Sequence, residues 1–328
     1  MLNDHPPATA RVGRSYAYGR YRHPIANPNV RWNGLGGKFR LKEWHYSALT
    51  SDRWFVAFAL VQLGYVANAF CYVVDRERPE EKREYSALSP LGKALQFAPS
   101  SVSGESLWRL GEDRIRVQYD GRWLVELDLS LQGKPLRGTF TFEPQDSLAL
   151  LFELEPGRPA YTHKAAGLPA SGEFRYGNET IRAEKALAAI DWTRSVARRE
   201  TKWKWASFSG RAPDGRALGL NLSSDVYEGP GGVSQENAFW IEGKAHPLGS
   251  VRFELPPDPR RGAWRLQSKE IDLEFTPWGT REEHVNFGLV RSDFIQPCGI
   301  FSGHVLIGGE KIGIKNIFGV VEDHLAKW

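Results

Sequence analysis

The sequence predicts a mainly β protein: two antiparallel β-barrels, or strongly curved sheets, packed together with few short helices. Three observations carry that expectation. Apolar and polar residues alternate with period two in segment after segment, as half-buried strands require. Turn residues separate these segments at short intervals, which favours barrels or sandwiches over strand–helix–strand units, and 33 Gly and 20 Pro supply the turns. The apolar inventory is rich in rings, with 12 Trp, 11 Tyr and 17 Phe against a single Met, and large rings favour strands.

Residues 1–37 are rich in Pro, Asn, Gly and Arg and read as an extended arm that ends at Asn33-Gly34-Leu35-Gly36-Gly37. Strands then follow one another. Trp44-Tyr46 precedes a turn at Ser51-Asp52-Arg53, Trp54 to Leu60 alternates into Gly64, and Tyr65 to Val74 returns. Ile115, Val117 and Tyr119 share one face, Asp120-Gly121 turns the chain, and Trp123, Val125, Leu127 and Leu129 form the next face; Asp-Gly between two alternating runs is a hairpin signal. Phe140 with Phe142, and later Trp264, Leu266, Ile271, Leu273 and Phe275, repeat the pattern. One segment reads as helix: Ile181 to Ile190 is Ala-rich, with Asn178 upstream as a cap. The Pro-, Gly- and Ala-rich stretch from Pro156 to Gly172 reads as a linker, which divides the chain into a first barrel at 38–165 and a second at 166–328.

Composition excludes several classes. No apolar run approaches the roughly 18 residues of a membrane-spanning helix, so no integral membrane association is expected. The N-terminal segment lacks the apolar core of a secretory signal, which makes the cytoplasm the expected location. A net charge of +4 tolerates an anionic ligand but is too mild for a nucleic-acid surface, so no nucleic-acid partner is expected. Cys71 and Cys298 sit in apolar surroundings and read as buried free thiols. Phosphate-cradling glycine loops, dinucleotide fingerprints, nucleophile elbows and paired-histidine zinc motifs are all missing, and the eight His lack metal-ligand spacing. Neither a metal nor another cofactor is expected.

The densest segment is Asp191-Trp192-Thr193-Arg194 followed by Arg198 to Ser207. In a strand, Trp203 and Trp205 point one way with Arg199 and Thr201, while Lys202 and Lys204 point to water. Rings and charges on opposite faces argue against base stacking. A buried Arg199 needs a carboxylate, and Asp191 is the candidate partner. Asp191 and an Arg then form either a structural ion pair or a site, in which an acid among indoles has a raised pKa and protonates a substrate while the Arg stabilises charge. Three further clusters are candidate pocket linings: Asn221 between two Leu, Asn237 within Gln235–Trp240, and His284 with Asn286 opposite Val285 and Phe287.

Lys42 to Tyr46, the Asp191–Ala206 block, Asn221-Leu222, Glu236 to Trp240, and Gly319 to Trp328 with its Glu322 together resemble an uncharacterised, mainly bacterial family, the domain of unknown function DUF2804. More remotely, the layout is similar to the two-barrel, lipocalin-like group of carotenoid hydratases, tocopherol cyclases and Diels–Alder cyclases. That resemblance implies an apolar barrel around a small hydrophobic molecule, with protein acids that protonate it. The expectation is a cofactor-independent hydratase, isomerase or cyclase. Asp191 and Arg199 would be catalytic, and Trp192, Arg194, Thr201, Trp203, Trp205, Asn221, Asn237, Trp240, His284 and Asn286 would bind substrate. The alternative is a non-catalytic carrier of a hydrophobic ligand, which needs the cavity but no buried acid.

Overall fold

A computed structural model of the chain describes residues 1–32, 34–286 and 290–328. Asn33 in the arm and Phe287 beside Asn286 lie outside the described residues. The protein is almost entirely antiparallel sheet, one nearly closed barrel and one half-barrel, with a four-residue helical turn at Gly37–Arg40.

The first sheet has fourteen strands. Its central run passes from Val66–Asp75 through Trp54–Gln62, Leu41–Thr50 and Leu187–Val196 to Pro159–Tyr176. It continues through Lys134–Phe142 and Trp123–Leu131 to Asp113–Tyr119. The 18-residue strand Pro159–Tyr176 is the corner: its first half pairs with Leu148–Glu153 and Leu187–Val196, its second half with Lys134–Phe142 and Glu179–Arg182. Residue 165 therefore falls inside a strand, and the sheets change over between Val196 and Glu200. The arm contributes Gly19–Tyr21 to the first sheet, against Leu148–Glu153.

The second sheet has nine strands, with Ala217–Ser224, Glu200–Arg211, Glu310–Lys327, Arg291–Ile307 and Ile271–Asn286 adjacent in that order. Each sheet wraps its own filled core. Trp54, Val56, Phe58, Leu60, Trp108 and Trp123 pack inside the first; Phe208, Phe239, Trp264, Phe275 and Phe301 pack inside the second. A third apolar layer joins the sheets: Tyr46, Ala48, Phe55, Ala57, Phe70 and Tyr72 of the first meet Trp205, Ile300, Phe318 and Val320 of the second. The period-two pattern explains this division, because Trp54, Val56 and Phe58 face the barrel interior while Phe55, Ala57 and Ala59 face the other sheet. Both faces are apolar, so the strand reads as a nearly continuous hydrophobic run.

The expected helix over Ile181–Ile190 is instead two strands, Glu179–Arg182 and Leu187–Val196, joined by a turn at Lys185 with φ +66°. The alanines serve close packing rather than helix propensity. Ala189 packs with Ala166, Ala238 and Trp240 from both sheets, and the Ala188 carbonyl accepts from Ser209 Oγ at 3.0 Å. Tertiary contacts override local preference here. Cys71 and Cys298 are buried free thiols, as expected.

Candidate active site between the sheets

Trp44 and Tyr46 project from the Leu41–Thr50 strand toward the second sheet, and Trp203 and Trp205 project back from Glu200–Arg211. The indoles of Trp44 and Trp203 stack with centroids 6.1 Å apart, and Tyr46 meets Trp205 edge-on at 5.2 Å. Around these rings lies a cavity of about 500 Å³, lined mostly by apolar and aromatic side chains including Val61, Tyr65, Phe70, Val226, Tyr227 and Phe294. Both barrel interiors are filled, so the open volume lies between the sheets rather than inside either barrel.

The cavity wall holds buried charge. Lys164 lies beside Asp191 as its direct strand partner and bonds to its Oδ2; its Nζ is also 3.2 Å from Glu236 Oε1. Thr193 Oγ1 and Trp44 Nε1 donate to Asp191 Oδ1, each at 3.3 Å. Burial would push the Lys164 ammonium down, but Asp191 and Glu236 beside it hold its pKa above the ordinary value. Burial raises the Glu236 carboxyl, against the pull of Lys164, and the Asp191 carboxylate raises it further. One cation therefore serves two acids in an apolar wall, and burial favours the protonated form of Glu236.

A second carboxylate stands across the cavity. Glu322 accepts from Trp203 Nε1 at 2.7 Å and from Gln296 Nε2 at 2.8 Å, and Tyr72 donates to Gln296 Oε1 at 2.9 Å. Burial holds the Tyr46 phenol well above its ordinary pKa, with smaller contributions from Glu322 and Asp191, so it stays neutral between them.

The two walls carry one motif twice. Lys164, Asp191, Tyr46, Ala59 and Phe70 are successive cross-strand partners in the first sheet. Ser223, Trp205 and Glu322 are successive partners in the second, and Glu322 bonds Gln296, the cross-strand partner of Arg281. In each wall an indole two residues before the row's aromatic donates to the row's acid: Trp44 to Asp191, Trp203 to Glu322. The rows run in opposite senses, so the ring pairs sit near a quasi-two-fold axis. Lys164 meets Glu236 at one end, and Phe70 meets Arg281 at the other.

Of the sequence-derived candidates, Asp191, Thr201, Trp203 and Trp205 line the cavity. The expected Asp191–Arg pair does not form: Asp191 bonds Lys164, while Arg194 bonds Glu43 at 2.6 Å on the opposite face of its strand. Trp192 shares that opposite face and packs under the arm against Tyr161. Arg199 is exposed at the strand's start, where its carbonyl accepts from the Trp328 amide at 3.0 Å. Asn221 and Asn237 brace the wall from behind. Asn221 accepts from Trp205 Nε1 at 2.8 Å and donates to the Glu236 carbonyl at 2.7 Å, and Asn237 accepts from the Ser223 amide at 2.6 Å. Trp240 packs elsewhere between the sheets and donates to the Asp146 carbonyl at 2.7 Å. His284 and Asn286 are exposed, whereas Val285 between them faces the cavity. Sequence reasoning missed Lys164, Glu236, Glu322, Gln296 and Arg281. A single Lys inside the uncharged run Pro159–Leu168 was the available signal for Lys164.

A second, more open cleft of about 540 Å³ lies by His23, Trp123, Asp146 and Lys244. Its acid Asp146 is already paired with Arg22 at 3.1 Å and with Lys244 at 3.9 Å. The inter-sheet cavity, with two buried acids around one buried cation, is the stronger candidate site.

A two-sheet β protein with an acid-lined aromatic cavity between its sheets is the class that this fold and site define. The chain belongs to the DUF2804 family, a domain of unknown function, whose pattern matches residues 5–328. Among solved structures it is similar to kievitone hydratase from Nectria haematococca, at 13% identity and a TM-score of 0.54, over 86% of this chain and 88% of that one. It is also similar to CghA in the structure with Sch210972, at 11% identity and a TM-score of 0.52, over 88% of each chain. These likenesses show a shared fold. No curated protein matches the sequence. Among the described residues no helix is long and apolar enough to cross a membrane.

Proposed function

We propose that the protein is an enzyme that protonates an apolar small molecule held between the two sheets, leading to hydration, isomerisation or cyclisation. The observation that carries this reading is the Lys164–Asp191–Glu236 cluster, two acids sharing one buried cation in an aromatic cavity wall. Glu236 is the acid. Its O–H bond breaks as a C–H bond forms on a substrate double bond. The resulting carbocation then adds water and loses a proton, loses a neighbouring proton, or is captured by an internal nucleophile. The released proton returns to Glu236, so the cycle closes without electron transfer and calls for no cofactor. Glu322 and the Trp44, Trp203 and Trp205 rings supply negative charge and π-faces to the cation. The hydratase among the proteins of like fold supports the reaction type.

The test is a panel of prenylated aromatic and polyene compounds incubated with the protein in D2O and analysed by mass spectrometry. Deuterium on carbon, or gain of water, is expected for at least one compound. Glu236→Gln lowers that turnover by about 10²–10⁴-fold, as loss of a general acid does, while its melting temperature stays close to wild type. Turnover undiminished in Glu236→Gln removes the acid assignment. Compounds that bind and return unchanged make the protein a carrier instead.

A further inference from the structure

We infer that the cavity takes an amphiphile, with its apolar body along the aromatic wall and a carboxylate or similar anionic head at Arg281. This names the substrate class of the site above and rests on the cavity being the binding site. Arg281 is 5% exposed, lies 3.9 Å over the Phe70 ring and 5.2 Å from the Phe294 centroid, and lines the cavity. Among the described residues its polar contacts use one nitrogen: Nη2 is 3.3 Å from Glu283 Oε2 and 3.5 Å from Ser86 Oγ. Its Nε is buried without a partner among the described residues. A guanidinium carries five donors, so most of its capacity is uncommitted.

The quasi-two-fold arrangement sharpens the point. At the opposite end of the cavity Lys164 faces a fully buried carboxyl, Glu236. At the Arg281 end the corresponding element from the facing sheet is Phe70, and among the described residues the carboxylate that pairs with Arg281 is Glu283 at the rim, with its side chain 34% exposed. A buried cation between two rings, with no buried carboxylate paired to it among the described residues, is a receptor for one. The other cations of the wall are already engaged: Lys164 by two acids, and Arg291 by Asp293. From Lys164 to Phe70 the row crosses four strand spacings, about 19 Å along the sheet. A ligand anchored at Arg281 must therefore carry a long apolar body to reach Glu236.

Direct binding of cis-parinaric acid and of its matched alcohol, read by energy transfer from the cavity tryptophans, tests this. Wild type is expected to bind the acid at least tenfold more tightly than the alcohol. Arg281→Gln brings the ratio close to one by weakening the acid alone, and Arg281→Lys, which keeps the charge, gives an intermediate ratio and serves if Arg281→Gln does not fold. Equal binding of acid and alcohol by wild type, binding of neither, or an acid preference that survives in Arg281→Gln overturns the inference. Glu236→Gln is expected to keep the full acid preference, so loss of the catalytic reading and loss of the anionic anchor give different results.

Discussion

Lys164 is the residue on which the chemistry of the wall turns, because its single charge is divided between Asp191 and Glu236. With both acids ionised the cluster would carry an uncompensated negative charge in an apolar wall, and the raised Glu236 pKa favours the form that avoids it. Asp191 is therefore a positioning residue: its carboxylate is one of the causes that raise the Glu236 pKa. Asp191→Asn removes that contribution, so Glu236 ionises at lower pH and pairs with Lys164. Turnover at neutral pH is expected to fall although the acid is intact, and the pH–rate profile should shift to more acid values, a displacement that a purely structural role for Asp191 does not produce. Lys164→Met strands both carboxyls, and a loss of about 3–5 kcal/mol is expected at pH 7, as for breaking a buried ion pair. Urea titrations measure that loss, and a Lys164→Met midpoint equal to wild type would show that the cation does not hold the two acids. Asp191 itself was legible in the sequence, since a carboxylate beside indoles stands out. Its partner was not. Arg194 is close in sequence but an odd number of residues away, which puts it on the other face of the strand.

The decisive element is the Pro159–Tyr176 strand, whose composition reads as linker. Ala166 and Gly167 are small because the second sheet approaches their backbone. Gly167, at φ +75°, sits at a bulge between Ala166 and Leu168, and a Cβ on Gly219 of the facing strand would lie 2.4 Å from the Ala166 carbonyl carbon. No flexible side chain can yield there, because the obstacle is backbone. Gly219→Ala is therefore expected to push the sheets apart beside the Lys164 cluster and to cost about 1–3 kcal/mol. Gly313→Ala, also within a strand but with nothing within 4 Å of the new Cβ, is the near-neutral control. Equal denaturant midpoints for the two variants would show that the contact carries no strain. Alternating hairpins such as Asp113–Tyr119 with Trp123–Leu131 were legible because each strand keeps one apolar face. The Ala-rich Leu187–Val196 strand was not, because small residues chosen for sheet-to-sheet contact look locally like helix formers.

At the scale of the molecule, two sheets with filled interiors leave the site in the layer that joins them, and the duplicated acid–indole row is visible only there. No sequence period reveals it, since its members come from strands far apart in the chain and are aligned by register alone. The same packing buries His45 and His163 inside the first sheet, and this sets how stability depends on pH. Burial depresses both imidazoles to about 3; for His163 the neighbouring His45 and Lys164 add to the effect, with Ser101 Oγ 2.8 Å from its Nδ1 and the Trp123 ring 6.0 Å away. In the unfolded chain they titrate near 6.5. Between these values the unfolded state binds more protons, so the stability the histidines contribute is complete above pH 6.5 and is lost as pH falls, by about 1.4 kcal/mol per pH unit for each imidazole. Glu236 and Glu43 act in the opposite sense, because burial raises both carboxyls. Their contribution is complete below the unfolded carboxyl range and is lost as pH rises through the folded value. The two trends oppose each other just above the unfolded carboxyl range, and single substitutions separate them. His163→Gln is expected to flatten the acid limb of a urea-midpoint profile taken from pH 7 to pH 5, and Glu236→Gln to steepen it. An acid limb unchanged in His163→Gln would mean that the imidazole is not held neutral in the fold.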